Sequence, residues 1–421
     1  MDDLLVIGAG LAGLSAAYTA AKNGLKVRVI TKGLATTHWN AGAVDVLGYV
    51  ENGTERQPVT RPLDAVSAFN ETHTGHPYGL VTPALLANAF ESFAGWAQEA
   101  GLPYAGANAA GDNLLLPSPV GAARPTYLAP RAQIAGDLQR KEPFVIVGFH
   151  GLRDFFPELI ASNLVEQGHA ARTVFLPLEL LTEQSDRNTI QLAQALDDSL
   201  RTAKLGRELK GIVKAGERIG LPAILGMQHL TREVEDLRAQ RGAPIFEIPT
   251  LPPSVPGVRL HKALSHQLTK LGVRIEINQE AKGFHAENGK IVWVETATSS
   301  RPLKHRSRAF LLATGGILGA GFNTDHTGRV WEVVFDLPLT VPQRRSQWFR
   351  PLFMDPAGHP VFQGGVTVNR QFQPIGDDGQ PVYGNLWAAG GLLANADPIN
   401  ERSLEGIAIA TGMNAATQIK D

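Results

Sequence analysis

Four apolar residues, Leu4-Leu5-Val6-Ile7, run directly into Gly8-Ala9-Gly10-Leu11-Ala12-Gly13, and that junction limits the fold more than any other feature of the chain. A short continuous apolar run reads as a central parallel strand buried on both faces. Ala12 to Lys22 is rich in Ala and Leu at helical spacing, and Gly24 ends it. Val27-Arg28-Val29-Ile30 follows as a second strand. Strand, glycine turn, helix and strand together make a βαβ unit. Each glycine has its own reason. Gly8 allows the tight turn, Gly10 lets the backbone approach phosphates, and Gly13 lets the helix pack closely on the sheet. The helix N-terminus then offers unpaired N–H groups and partial positive charge to a pyrophosphate.

Both nicotinamide and flavin dinucleotides use such a loop. Its place at residue 8 of a 421-residue chain, with no later repeat, favours FAD. The second strand ends in Ile30-Thr31-Lys32-Gly33, without the acidic residue that usually takes the ribose hydroxyls. Thr31 or Lys32 must substitute, by hydroxyl or backbone contacts.

Composition narrows the chemistry. There is no cysteine, so disulfides, thiolate-bound zinc and iron–sulfur clusters are excluded from this chain. A net charge of -1 with dispersed Lys and Arg gives no sign of nucleic acid. Leu4 to Ala21 approaches the length of a membrane span, but Asp2 and Asp3 precede it and three glycines interrupt it. Strand and buried helix explain it better, so membrane contact is expected only through a partner. No His, Asp or Glu group has metal-ligand spacing, and no activated serine motif is present.

A second α/β region begins near Pro143. Residues 144–148, 173–176, 222–226 and 244–248 read as strands. Asp154 to Gly168, Leu192 to Leu200 and Thr231 to Gln240 read as helices. That alternation predicts a small doubly wound insert. The run from Pro249 to Gly257 holds four prolines and reads as a stiff, extended connection. Helices are also expected over Thr82–Ala100, over Val258–Leu271 and from about Leu404. The fold expected is α/β: a Rossmann-like FAD-binding domain in two segments, residues 1–75 and 256–421, interrupted by a capping α/β region over 76–255.

Further motifs carry a resemblance. Thr31-Lys32-Gly33 and Thr36-Thr37-His38-Trp39-Asn40-Ala41-Gly42 are similar to the flavin-covering segment of the fumarate reductase, succinate dehydrogenase and L-aspartate oxidase superfamily. Phe310 to Gly316 resembles its Ala-Thr-Gly-Gly strand end, near the adenosine part of FAD. Asn385 to Gly390, with Asp397 to Gly412, resembles its last FAD motif, where the flavin ring meets the N-terminus of the final helix. The cofactor residues this implies are Thr31, Lys32, Gly33, Thr37, Gly42, Thr314, Gly315, Gly316, Gly390, Ser403 and Leu404, added to Gly8, Gly10 and Gly13. In succinate dehydrogenase and fumarate reductase a histidine attaches FAD covalently. That position falls at Thr36, with His38 two residues too late, so a non-covalent flavin is expected.

A narrower resemblance covers nearly the whole chain. Residues 249–260, His76-Pro77-Tyr78, Val147 to Phe155 and Gly365-Val366-Thr367-Val368-Asn369 look like the family of anaerobic glycerol-3-phosphate dehydrogenase B subunits. The resemblance implies oxidation of glycerol 3-phosphate to dihydroxyacetone phosphate. Two partners are implied as well: the family's catalytic FAD-bearing A subunit, and its iron–sulfur C subunit, which attaches the complex to the membrane. Electrons would pass to the quinone pool. A cytoplasmic location, peripheral to the membrane, is implied too. The family's B subunit is generally assigned FMN, whereas the dinucleotide loop argues for FAD.

Three residues are candidates for chemistry. Arg259, just after the proline block, has the guanidinium geometry to clamp a phosphate or carboxylate. His38, in the covering segment, could act as a general base while hydride moves to flavin. Arg124 stands where related flavoproteins face their active site. His261 is a weaker candidate, His76 is expected to order its loop, and Asp397 to cap a turn. Two other readings stay open: an independent flavin oxidoreductase of another small anion, and a non-catalytic protein that binds flavin or relays electrons within a complex.

Overall fold

Leu4, Leu5, Val6 and Ile7 are all buried because their strand, Asp2–Ile7, is the middle of a five-stranded parallel sheet. The computed structural model describes residues 1–420 apart from 53, 54, 184–186, 242, 298–300 and 354. The sheet runs Arg274–Ile277, Val27–Thr31, Asp2–Ile7, Ser307–Leu312, Leu386–Ala388, which is chain order 3-2-1-4-5. Leu4 pairs with Val27 on one side and with Ala309 on the other. Alternate residues point to opposite faces. Leu5, Ile7, Ile30, Phe310, Leu312 and Leu386 share one core, with Ile291 and Val294 from an antiparallel sheet of Glu280–Glu287, Lys290–Ala297 and Leu303–His305.

The apolar stretch after Leu4 therefore divides into a strand and the helix Leu11–Lys22. That helix packs against the last one, Leu404–Thr417, closely enough that a Cβ at Gly412 would collide with the Ala12 carbonyl. These elements belong to one compact unit of residues 1–36, 45–96 and 264–421.

A second unit comprises residues 37–44 and 97–263. Its sheet is also wholly parallel, in the order Ala171–Pro177, Phe144–His150, Arg218–Pro222, Ile245–Ile248. Pro157–Glu166, Ser199–Ile212 and Leu230–Arg241 are helices between its strands. This is the doubly wound α/β arrangement expected from the alternating pattern.

Two local expectations change. Residues 222–226 are not a strand: the strand ends at Pro222, and Ile224 and Gly226 donate N–H bonds to Pro222 and Ile224 in consecutive tight turns. Their apolar character reflects burial, which a turn beneath a helix shares with a strand. Leu192 to Leu200 is not one helix but the ends of two, Thr189–Ala195 and Ser199–Ile212. Asp198 caps the second by accepting from the Leu200 N–H at 3.0 Å. Asp197 accepts from the N–H groups of Met227, Gln228 and His229.

Candidate cofactor site

The site begins where the sheet order reverses, at the carboxyl ends of Asp2–Ile7 and Ser307–Leu312, the position where open α/β sheets bind ligands. Gly8 has φ +114, and a Cβ there would run into the Ala313 carbonyl. A Cβ at Gly13 would run into the Gly8 carbonyl. Gly10 differs from both. It has φ -73 and ψ 178, caps the helix Leu11–Lys22 without any side-chain bond, and a Cβ on it would meet no heavy atom within 4 Å. So Gly8 and Gly13 are demanded by the fold, while Gly10 leaves open space over an uncapped helix N-terminus.

Beside this loop, Ala313 N–H donates to Ile7 at 2.8 Å, and the chain continues into Thr314, Gly315 and Gly316. The Thr314 hydroxyl oxygen is buried with no hydrogen-bond partner. A Cβ at Gly316 would stand 2.5 Å from the Gly391 carbonyl, and one at Gly390 would stand 2.5 Å from Ala12 Cβ. Gly390 N–H donates to Thr411 Oγ1 at 2.8 Å. The structure thus brings Gly8–Gly13, Thr314–Gly316 and Gly390 to one place. An orphaned buried hydroxyl and an open, positively polarised helix end are what a dinucleotide's ribose and pyrophosphate require.

At the end of the second strand, Thr31 Oγ1 donates to the Gly33 carbonyl at 3.0 Å, and Lys32 Nζ pairs with Glu280 at 2.7 Å. Both side chains are turned to partners within the chain. Ser403 and Leu404 stand at the start of Leu404–Thr417 as expected, but the Ser403 side chain does not cap that helix. It donates to Glu401 Oε2 at 2.6 Å. Asp397 caps Pro398–Glu401 through the Asn400 N–H at 3.1 Å.

In the second unit, the covering segment is locked onto the proline block. Ser254 N–H donates to the His38 carbonyl at 2.8 Å, and Gly257 lies so close to the Thr37 carbonyl that no Cβ would fit. Gly42 has φ +74, and a Cβ on it would lie 2.5 Å from Pro256 Cβ. His38 and His261, both buried, place their rings 4.7 Å apart at 46°. Arg124 is buried on the hairpin strand Ala123–Thr126, opposite Leu116. Arg259 is 4% exposed and faces a carboxylate of its own chain. Its Nη1 and Nη2 bond Glu247 at 2.5 and 2.9 Å, and its Nε donates to the Gly226 carbonyl at 2.7 Å.

Sequence reasoning missed Glu247, Glu401 and Glu332, since no spacing marks a buried carboxylate. Glu332 accepts from the N–H groups of Val334 and Phe335 at 2.9 and 2.6 Å, and burial pushes it up to about 7. Its folded value lies above the unfolded one, so the native state holds the extra proton between them. Stability is therefore full below pH ~4.5 and falls as pH rises to ~7, by on the order of 3 kcal/mol from this group. Glu332→Gln should abolish that slope in urea titrations across the window; an unchanged slope would show that Glu332 does not carry it.

Residues 3–407 match the model of a family described as FAD binding domain. The B subunit of a probable anaerobic glycerol-3-phosphate dehydrogenase from Halobacterium salinarum is 31% identical over 429 residues, 99% of this chain and 97% of that one. The chain belongs to the FAD binding domain family, among the anaerobic glycerol-3-phosphate dehydrogenase B subunits. The corresponding B subunit from Yersinia pestis is 28% identical over 426 residues, again 99% of this chain and 97% of that one. Among solved structures, the open conformation of a flavocytochrome c3 fumarate reductase covers 100% of this chain and 79% of that one, at 11% identity and a TM-score of 0.43. The cofactor of this family is FAD, which decides between the two flavins in favour of the dinucleotide loop. The chain is thus a flavin-dependent oxidoreductase, and its relatives are named as one subunit of a larger enzyme. Among the described residues, no helix is long and apolar enough to cross a membrane.

Proposed function

We propose that this chain is the B subunit of a respiratory dehydrogenase that oxidises glycerol 3-phosphate to dihydroxyacetone phosphate, with electrons passing through partner subunits to the quinone pool. One partner is a second FAD protein, and the other is an iron–sulfur protein that attaches the complex to the membrane. The supporting observation is the open cradle at Gly10, set beside the orphaned Thr314 hydroxyl. Gly8, Gly10 and Gly13 would hold the pyrophosphate non-covalently, and Thr314, Gly315 and Gly316 the adenosine side. Gly390, Ser403 and Leu404 would meet the flavin ring, while Thr31, Lys32, Gly33, Thr37 and Gly42 complete the cofactor contacts. Bound FAD supplies the two-electron acceptor. His38 accepts the C2 hydroxyl proton of the substrate, with His261 packed against its ring. Arg124, buried on the strand Ala123–Thr126, is the partner for the substrate's anionic group, and Arg259 holds Glu247.

The test is a spectrum of the purified chain, acid release of the flavin, and anaerobic addition of glycerol 3-phosphate with and without the partner subunits. All flavin should appear as FAD in the acid supernatant, and glycerol 3-phosphate should bleach more flavin in the assembled complex than the partner's own FAD accounts for. Flavin left on the precipitated protein would make the attachment covalent. Bleaching of the isolated chain by a different hydroxy or amino acid, but not by glycerol 3-phosphate, would make it an independent oxidoreductase.

A further inference from the structure

The start of the last helix is held by a buried network that the reaction above does not use. Its centre is the Glu401 carboxylate. Oε2 accepts from Ser403 Oγ at 2.6 Å and from His76 Nε2 at 3.1 Å, and Oε1 accepts from Asp397 N–H at 2.7 Å. His76 Nδ1 accepts from the Tyr78 N–H at 3.1 Å. A backbone N–H can only donate, so Nδ1 carries the lone pair and the ring proton sits on Nε2, aimed at Glu401. The neutral ring serves both neighbours, and Glu401 keeps the only net charge of the His76, Glu401 and Ser403 trio. Burial pushes the carboxyl up, and the His76 ring, the Ser403 hydroxyl and the Asp397 N–H together bring it below its usual range.

The backbone around this carboxylate is unusual. Arg402 has φ +50 and ψ 64, a left-handed conformation that costs a non-glycine residue about 1–3 kcal/mol. It is fixed from every side. Glu401 is held before it, its carbonyl accepting from Gly48 N–H at 2.8 Å. Ser403 is held after it by the Glu401 carboxylate. The Arg402 guanidinium bonds Asp45 Oδ2 at 3.0 and 3.2 Å, so that pair is neutral. Tyr78 closes the network: its hydroxyl donates to the Val46 carbonyl at 2.6 Å, and Gly406 leaves the room for it that a Cβ would fill. A kink determined this completely, at the mouth of a buried helix, points to a demand for exact aim and not to helix stability alone.

We infer that His76 and Glu401 are positioning residues for the cofactor: they lock the left-handed Arg402 turn that aims the first turn of Leu404–Thr417 at the flavin ring, and they place a fixed negative charge there. The inference rests on the reading that this helix start meets the ring. A fixed carboxylate charge disfavours electron density arriving beside it, so it lowers the reduction potential of the bound cofactor.

The test is the midpoint potential of FAD on the full chain, measured with FAD stoichiometry and thermal melting. Glu401→Gln should raise the potential, shifting the reduction equilibrium about tenfold, or ~30 mV for a two-electron couple. His76→Gln, which can still accept from Tyr78 and donate to Glu401, should keep the wild-type potential, whereas His76→Leu should shift it. Leu404→Lys serves as the control for ring placement. If it leaves the potential unchanged, the helix start does not meet the ring, and both readings fall. If it moves the potential while FAD-replete Glu401→Gln matches wild type, the inference alone is overturned. Should Glu401→Gln not fold, equal potentials in His76→Leu and His76→Gln overturn it instead.

Discussion

A chain carrying Gly10→Asp should fold, melt at or slightly above the temperature of the FAD-free wild type, and purify without FAD. Gly10 is in ordinary extended backbone, φ -73 and ψ 178, and a Cβ there meets nothing within 4 Å. Aspartate is moreover a good N-cap, so the helix Leu11–Lys22 would gain slightly in stability. The loss falls on the ligand. The new carboxylate takes the first-turn N–H groups and sets a negative charge where the pyrophosphate must lie. At ~4 Å and an effective dielectric of ~20, one such repulsion costs about 4 kcal/mol, roughly a thousandfold in affinity. Gly8 and Gly13 cannot give this result, because their Cβ atoms would strike backbone carbonyls and unfold the unit. FAD-to-protein ratio, titration of the apoprotein with FAD, and a melting curve check it together. A Gly10→Asp chain that keeps its FAD would remove this loop from the cofactor site.

The glycine loops were legible in the sequence because a missing side chain reports a steric demand that is local. The strands were legible where they are buried on both faces: Phe144, Val145, Ile146 and Val147 form one apolar run and all four are buried. The order 3-2-1-4-5 was not legible. The sheet's outer strand, Arg274–Ile277, is polar and half exposed, and it joins Val27–Thr31 by pairing Ile275 with Val29. Nothing local to either segment specifies that. Residues 222–226 show the opposite failure, in which hydrophobicity recorded burial and was read as strand. The break between Thr189–Ala195 and Ser199–Ile212 was written in Asp197-Asp198-Ser199, a capping signal outweighed by the apolar spacing around it. The charged partners of the site stayed hidden for a related reason. Glu401 and His76 are 325 residues apart, and only the folded chain pairs them. Arg259 has a guanidinium suited to any planar carboxylate, and its chemistry does not tell a substrate from Glu247.

That ambiguity gives the second large effect: Arg259→Met should destabilise the chain by about 3–5 kcal/mol, the usual result of breaking a buried ion pair from one side. The two side chains are 3% and 1% exposed, so solvent cannot take over either charge. Loss of the guanidinium also frees the Gly226 carbonyl, which now accepts from Nε at 2.7 Å. Glu247 Oε1 would keep its bond from Leu225 N–H at 2.8 Å, but its charge would be buried without a counterion. In Arg259→Met/Glu247→Gln that charge is gone and the Leu225 bond remains, so part of the stability should return, and the cycle should show strong coupling. A fall in Tm on the order of 10 °C for Arg259→Met is expected, with the double variant between it and the wild type. The same variants separate a structural arginine from a substrate clamp. A clamp gives a raised KM for glycerol 3-phosphate at an unchanged Tm. An arginine that binds the helix Val255–Lys270 to the strand Ile245–Ile248 lowers Tm and, below that temperature, leaves KM where it was.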